Sequence, residues 1–308
     1  MKYDLITILG PTATGKTRLA AYLAKKLNGE IISADSRQVY KFMNIGTGKD
    51  LADYSVDGVT IPYHLIDVVE PTEEYNLFRF NKDFYLVCDQ IKESGKVPFL
   101  VGGTGLYLSS VLQNYKLKQA DFSEEKKKEL ERLSEENLRK ILIRLKPRQH
   151  NITDLRDKKR LITAIQIEKA KHSKIHKGDK PLSSLNIGIK PEREEIKKRI
   201  TNRLKKRLDE GMIEEVKNLL DRGITQDKLF FFGLEYKYIG LYLNGEINYN
   251  DMYQKLNGAI HNFAKRQMTW FRKMEHEGVI INWFDGKNYE NILSFVEKRI
   301  IKDAEPSR

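Results

Sequence analysis

The chain has 308 residues, a formal net charge of +12, 40% hydrophobic and 32% charged residues, and a single cysteine, Cys88. That length allows one large or two modest domains with a sizeable core, and one cysteine excludes an internal disulfide and a cysteine-built metal site. No apolar run approaches the ~18 residues of a membrane span and no basic-then-apolar leader opens the sequence, so a cytoplasmic protein without a membrane partner is expected; the positive excess favours a polyanion such as RNA or DNA, although a generic basic surface has the same balance.

Leu5-Ile6-Thr7-Ile8-Leu9 reads as a strand, and a helix begins near Lys16 with Leu19, Ala20, Leu23, Ala24 and Leu27 at helical spacing. Between them lies a complete phosphate-binding loop: Gly10, Pro11, Thr12, Ala13, Thr14, Gly15, Lys16 and Thr17. Gly10 and Gly15 let consecutive N–H groups point at one anion, Lys16 supplies a point charge to terminal phosphates, and the Thr17 hydroxyl is placed to ligate Mg²⁺. Ile31 to Asp35 is a second strand, 78–94 a helix holding Cys88 in its apolar pattern and closed by Gly95, and Val97 to Val101 a strand ending in Gly102-Gly103-Thr104-Gly105. Short apolar strands alternating with helices predict a parallel sheet covered on both faces, with ligands at the carboxyl ends of its strands. The phosphate loop, Asp35-Ser36 and 102–105 all follow strands, and should converge on one cleft.

After residue 113 the strands largely stop. A charged amphipathic helix is predicted over 123–145 with Ser123 as its N-cap and Pro147 beyond its end, then a second helix over 157–171, then a polar, basic and mobile loop over 172–181. Residues 186–189 form a further strand. Pro191 opens a long helix whose stripe runs Ile196, Ile200, Leu204, Leu208 and Met212; Arg199, Arg203 and Arg207 lie beside it, an arrangement that also fits a solvated flank. The last long helix, 251–277, holds Trp270 and Phe271, read as core anchors. The fold class is therefore α/β, a P-loop parallel sheet with flanking helices and a mainly helical insertion: 1–112 with 186–308 as the catalytic core and 113–185 as the insertion.

The phosphate loop alone would suit a kinase or nucleotide hydrolase, but no later apolar strand ends in an aspartate of the usual Mg²⁺-binding kind. Asp35 instead opens the polar cluster Asp35-Ser36-Arg37-Gln38-Val39-Tyr40. A carboxylate at a strand end in a cleft suits a general base, and a helix-capping or Mg²⁺-shell role fits the same position.

Six segments occur in order: the phosphate loop, 35–40, Asn44-Ile45-Gly46-Thr47-Gly48-Lys49, Pro62-Tyr63-His64, Val101-Gly102-Gly103-Thr104-Gly105-Leu106-Tyr107, and Ala264-Lys265-Arg266-Gln267-Met268-Thr269-Trp270-Phe271-Arg272. Jointly, over residues 5 to about 285, the chain resembles the bacterial tRNA dimethylallyltransferase (tRNA isopentenyltransferase) family. The resemblance implies transfer of a dimethylallyl group from dimethylallyl diphosphate to N6 of adenosine 37 in tRNAs reading codons that begin with U. It implies that the phosphate loop, with Arg203 and a Thr17-bound Mg²⁺, holds the donor's diphosphate, and that Lys16, Asp35 and Thr104 are catalytic. Asp35 would take the N6 proton, and Thr104 would fix a flipped-out adenine. Contacts to the anticodon stem-loop are implied for Asp35, Ser36, Arg37, Gln38 and Thr104, for Lys159, Arg160, Leu161, Ile162 and Thr163 in the insertion, and for Lys265, Arg266 and Arg272 on the last helix; Lys159, Arg160, Lys265, Arg266 and Arg272, each taken singly, are more often solvated surface charges.

Three departures touch the RNA-facing segments: Thr163 stands where the family commonly has a second arginine, Glu235-Tyr236-Lys237 replaces a usual Gly-Tyr-Arg or Gly-Tyr-Lys, and the His261-Asn262 region replaces a usual arginine. A related family that prenylates free AMP, ADP or ATP is the near alternative, and an ATP-using kinase or RNA-binding module the distant one. The helical insertion, the basic last helix and the net charge favour tRNA. A monomer is expected, since nothing in the sequence demands a dimer.

Overall fold

In the computed structural model, which describes residues 2–117, 124–147, 157–169 and 181–301, β1 (Leu5–Leu9) is buried along its whole length and runs into the phosphate loop and α1 (Lys16–Lys26). There follow β2 (Gly29–Ala34), a short 3₁₀ turn at Leu51–Tyr54, a hairpin of β3 (Ser55–Val56) and β4 (Val59–Thr60), then β5 (Tyr63–His64), α2 (Leu77–Glu93), β6 (Val97–Gly102) and α3 (Gly105–Leu112). The middle of the chain holds α4 (Glu124–Glu131), α5 (Glu135–Leu145) and α6 (Lys158–Lys169). The chain then returns to the sheet with β7 (Ser184–Ile189), followed by α7 (Arg193–Asp209), α8 (Met212–Asp221), α9 (Gln226–Phe232), α10 (Leu234–Leu243), α11 (Tyr249–His276), β8 (Asn282–Phe284) and α12 (Tyr289–Ile301). Two units result, one of Met1–Asn114 with Pro181–Arg308 and one of Tyr115–Lys180.

The larger unit is built on a six-stranded sheet in the order β5-β2-β6-β1-β7-β8, every pair parallel. Its four inner strands, β2, β6, β1 and β7, are largely apolar and buried because both faces are covered. On one face α1 and α12 pack Leu19, Leu23, Ile292 and Val296 against Ile6, Ile8, Ile31 and Phe99. On the other, Phe80 and Phe84 of α2, Leu108 of α3, Ile200 and Leu204 of α7, Met212 and Val216 of α8, and Phe271 of α11 bury against Leu5, Leu9, Ile32 and Leu100. Each such side chain contributes roughly 1.5–3 kcal/mol on leaving water. Register then sets the site. Leu9 and Ala34 both pair with Gly102, so β1, β2 and β6 end level, and Gly10, Asp35 and Gly103 emerge side by side.

The smaller unit has its own core of Leu130, Leu138, Leu142, Leu161, Ile162 and Ile165. The single helix predicted over 123–145 is two: the Ser134 hydroxyl accepts from the Asn137 N–H at 3.3 Å and starts α5 afresh, as serine does at an N-cap. Ser123 and the basic stretch 172–180 lie outside the described residues, as do 170 and 171. β7 begins at Ser184, two residues before the predicted strand, because Ser184 pairs with Leu5. Pro191 precedes the N-cap Glu192, where its missing N–H costs nothing. The stripe of α7 stops at Leu208: the chain turns at Gly211 (φ 97°) and Met212 starts α8, still buried. Cys88 is buried.

Candidate active site

Where β1 ends, the backbone takes left-handed φ at Ala13 (63°) and Gly15 (80°), turning successive amides inward. Gly15 is the N-cap of α1 and no side chain caps that end, which leaves the first-turn N–H groups free to meet an anion. The Pro11 carbonyl accepts from the Thr14 hydroxyl at 2.9 Å and from Lys16 Nζ at 2.6 Å. Arg203 of α7 donates to the Thr12 hydroxyl. Burial in the cleft, with the Arg203 charge adding to it and Asp35 opposing, pushes the Lys16 ammonium down to about 7. Burial and Arg207 lower Arg203 to about 10. The Arg203 charge thus acts on Lys16 through space, and the two side chains border the loop as groups suited to a phosphate.

Around this loop a cleft of about 120 Å³ is lined by residues 12–17, Asp35, Gln38, Asp50, Asp53 and Arg203 among others. It adjoins a larger cavity of about 480 Å³ walled by Asp35, Ser36, Arg37, Thr104, Arg207, Glu235, Arg266 and the apolar Phe232, Leu234, Ile260 and Trp270. Thr12, Asp35, Thr47, Gly103, Arg203, Phe263 and Gln267 belong to both walls, so Asp35 stands at the junction. Its Oδ1 accepts the Arg37 N–H at 2.9 Å. The Thr104 hydroxyl accepts the Ser36 N–H at 3.2 Å, and Thr104 is the N-cap of α3. The Arg37 guanidinium lies 4.6 Å over the Phe231 ring, and burial lowers its pKa.

The sequence assigns no site role to several wall residues. Gln267 is buried; its Oε1 accepts the Thr12 N–H at 2.9 Å and its Nε2 donates to the Gly103 carbonyl at 2.8 Å, tying the phosphate loop to the end of β6. A polar residue in the otherwise apolar stripe Ile260, Ala264, Phe271 was the available clue. Glu235, Arg207 and Asp50 also line the two cavities. Within 44–49, Gly46, Thr47 and Gly48 face the cavities, whereas buried Lys49 is scaffold, donating to the Tyr40 carbonyl, to Asp67 and to Asn44 at 3.3 Å; Tyr63 and His64 form β5 at the sheet edge. Phe271 is a core anchor, whereas Trp270 is half-buried, donates from Nε1 to the Ser109 hydroxyl at 2.7 Å and walls the larger cavity.

The basic residues of α11 diverge. Arg266 faces the 480 Å³ cavity, while Lys265 and Arg272 face a groove of about 900 Å³ beside Lys190, Arg193, Lys197 and Lys198. In the smaller unit Leu161 and Ile162 point into its core, and Lys159, Arg160 and Thr163 are exposed on α6. Among the described residues no cluster of three or more His, Cys, Asp or Glu side chains could hold a metal unaided, and no helix is long and apolar enough to cross a membrane. Oxygen donors for a hard cation shared with phosphate do line the cleft: Thr17, Asp50 and Asp53, the last paired with Arg18 at 2.6 Å.

Comparison with known proteins gives a consistent picture. The family model for IPP transferase matches residues 38–274, and that for isopentenyl transferase residues 3–60. The protein called tRNA dimethylallyltransferase 1 in Azobacteroides pseudotrichonymphae is 52% identical over 288 residues, covering 92% of this chain and 94% of that one. Bacteroides fragilis has a tRNA dimethylallyltransferase 2 that is 50% identical, covering 97% and 98%. The crystal structure of a full-length tRNA isopentenylpyrophosphate transferase from Bacillus halodurans superposes with a TM-score of 0.70 at 32% identity, covering 98% of each chain.

Proposed function

The chain belongs to the IPP transferase family, and from that premise we propose that it transfers the dimethylallyl group of dimethylallyl diphosphate to N6 of adenosine 37 in tRNAs reading codons that begin with U, releasing diphosphate. The observation that carries the proposal is the junction: an anion cradle and a base-sized, partly apolar cavity share a wall, with a carboxylate where they meet. Donor and acceptor enter different chambers and their reacting atoms meet at Asp35, which is how positioning lowers a two-substrate barrier.

In this reading N6 attacks the allylic carbon as its C–O bond breaks, the electron pair leaves with the diphosphate, and Asp35 takes the proton lost from N6. The amine is a weak nucleophile, so its orientation by the Thr104 region matters as much as proton removal. Negative charge grows on the leaving oxygens, and Lys16, Arg203 and the amides opening α1, which border the cleft, would stabilise it. Thr17, with the carboxylates of the cleft, would hold a Mg²⁺ that neutralises the same charge. The adenine must leave the anticodon-loop stack to reach the cavity, and Ser36, Arg37, Gln38 and Arg266 are assigned to the nucleotides beside it.

The test is incubation of unmodified tRNA with dimethylallyl diphosphate and Mg²⁺, followed by nucleoside mass spectrometry and mapping of the modified position. One dimethylallyl group on adenosine 37 is expected. Prenylation of free AMP or ATP with none on tRNA would move the chain to nucleotide prenylation and overturn the proposal.

A further inference from the structure

Glu215 lies on α8 and lines neither the 120 Å³ cleft nor the 480 Å³ cavity, yet its carboxylate accepts four hydrogen bonds. The Asn44 and Ile45 N–H groups donate to Oε2 at 2.7 Å each; the Gly46 N–H and the Tyr236 hydroxyl donate to Oε1 at 3.0 and 2.8 Å. Three consecutive amides converging on one anion form a nest, and charge-assisted bonds of this kind are about twice as strong as neutral ones.

The segment so held is part of the site. Gly46 and Thr47 face the 480 Å³ cavity, and Thr47, Gly48 and Asp50 the 120 Å³ cleft. The next carbonyls, of Thr47 and Gly48, accept from Gln38 Nε2 at 3.4 and 3.0 Å, and Gln38 Oε1 accepts from the Ser33 hydroxyl at 3.1 Å. Gly48 has φ 69°, and a Cβ there would stand 2.1 Å from Arg207 Nη2, so backbone and guanidinium pack directly; Arg207 goes on to meet Asp50 at 3.3 Å. At the 44–46 end of this strip Glu215 holds the three backbone amides, while Lys49 reaches only the Asn44 side chain, at 3.3 Å.

We propose that Glu215 is a positioning residue for group transfer: by clamping 44–46 it fixes the wall where the two chambers meet, and so the alignment of donor and acceptor at Asp35. The proposal rests on the prenyl-transfer reading. Glu215→Gln keeps the shape but turns one acceptor into an amide donor that faces N–H donors. Glu215→Asp keeps the charge and withdraws it by one methylene.

Two measurements decide. In amide hydrogen exchange on the full chain, Glu215→Gln is expected to speed exchange at 44–46 while amides of α2 and β6 keep the parental rates; uniform acceleration, or none, overturns the clamp. In steady-state transfer corrected for active-site titre, kcat for tRNA should fall by on the order of tenfold to a hundredfold, as a displacement of about 1 Å at a reacting pair would cause. Glu215→Asp should recover part of that loss. Parental kcat and KM per active site in Glu215→Gln would overturn the positioning role. A parent that prenylates nothing would instead refute the functional reading, and the exchange data would still judge the clamp.

Discussion

Lys16 and Asp35 carry opposite burdens within one cleft, and each makes a separate demand on pH or chemistry. With its pKa depressed to about 7 by burial and by Arg203, Lys16 loses its proton in the free protein as pH rises through neutrality. A bound diphosphate favours the charged ammonium, so binding at a pH of about 8 must take up a proton, whereas at about 6 the proton is already there. Affinity for inorganic diphosphate is therefore expected to fall as pH rises across this window. Calorimetry in buffers of different ionisation heat reads the uptake, with Lys16→Met subtracting the titration of diphosphate itself. Equal uptake by parent and variant at both pH values would sink the assignment. Asp35→Asn tests the base: the amide oxygen still accepts the Arg37 N–H, but no proton acceptor remains. Single-turnover transfer should drop ~10²–10⁴-fold with tRNA affinity within about twofold, and a parental rate would remove Asp35 from the mechanism.

Elements were legible in the sequence where hydrophobic pattern alone dictates them. β1, β2, β6 and β7 are apolar runs, and α1, α2, α7 and α11 carry stripes against the sheet. Strands β3, β4, β5 and β8 have two or three residues each, too few for any periodicity, and exist only because a neighbour supplies the ladder. The glycine-rich turns of the site were readable for a related reason, since their chemistry is local. Glu215 was not, nor were the contacts of Gln267 and Glu235, because what these side chains meet comes from elements far away in sequence. Glu235 shows the cost of such placement. It opens α10 beneath the larger cavity, and burial raises its pKa although Arg207 and Arg203 oppose the shift. A carboxyl with a raised folded pKa holds its proton more tightly in the native state, so stability falls as pH climbs from the unfolded value, about 4.3, through the folded one. Glu235→Gln is thus expected to raise the melting temperature at neutral pH and to lose that advantage near pH ~4. A variant melting below the parent at neutral pH would mean that the arginines outweigh burial.

At the scale of the molecule, a net charge of +12 attracts any polyanion, so net charge by itself cannot explain recognition of one RNA. Placement can. Lys265 and Arg272 share a groove with Lys190, Arg193, Lys197 and Lys198, on the side of the sheet covered by α7 and α11. Exposed Lys298 and Arg299 end α12 on the opposite side. Removing either pair to alanine lowers the net charge equally. If the α11 groove grips phosphates, Lys265→Ala with Arg272→Ala should weaken tRNA binding and flatten the slope of log affinity against log salt by about two, one per lost contact. Lys298→Ala with Arg299→Ala should leave both nearly unchanged. Filter binding over a salt series separates the two results. Equal effects from the two pairs would mean that the charge acts only as a diffuse field, and that the RNA is held elsewhere on the chain.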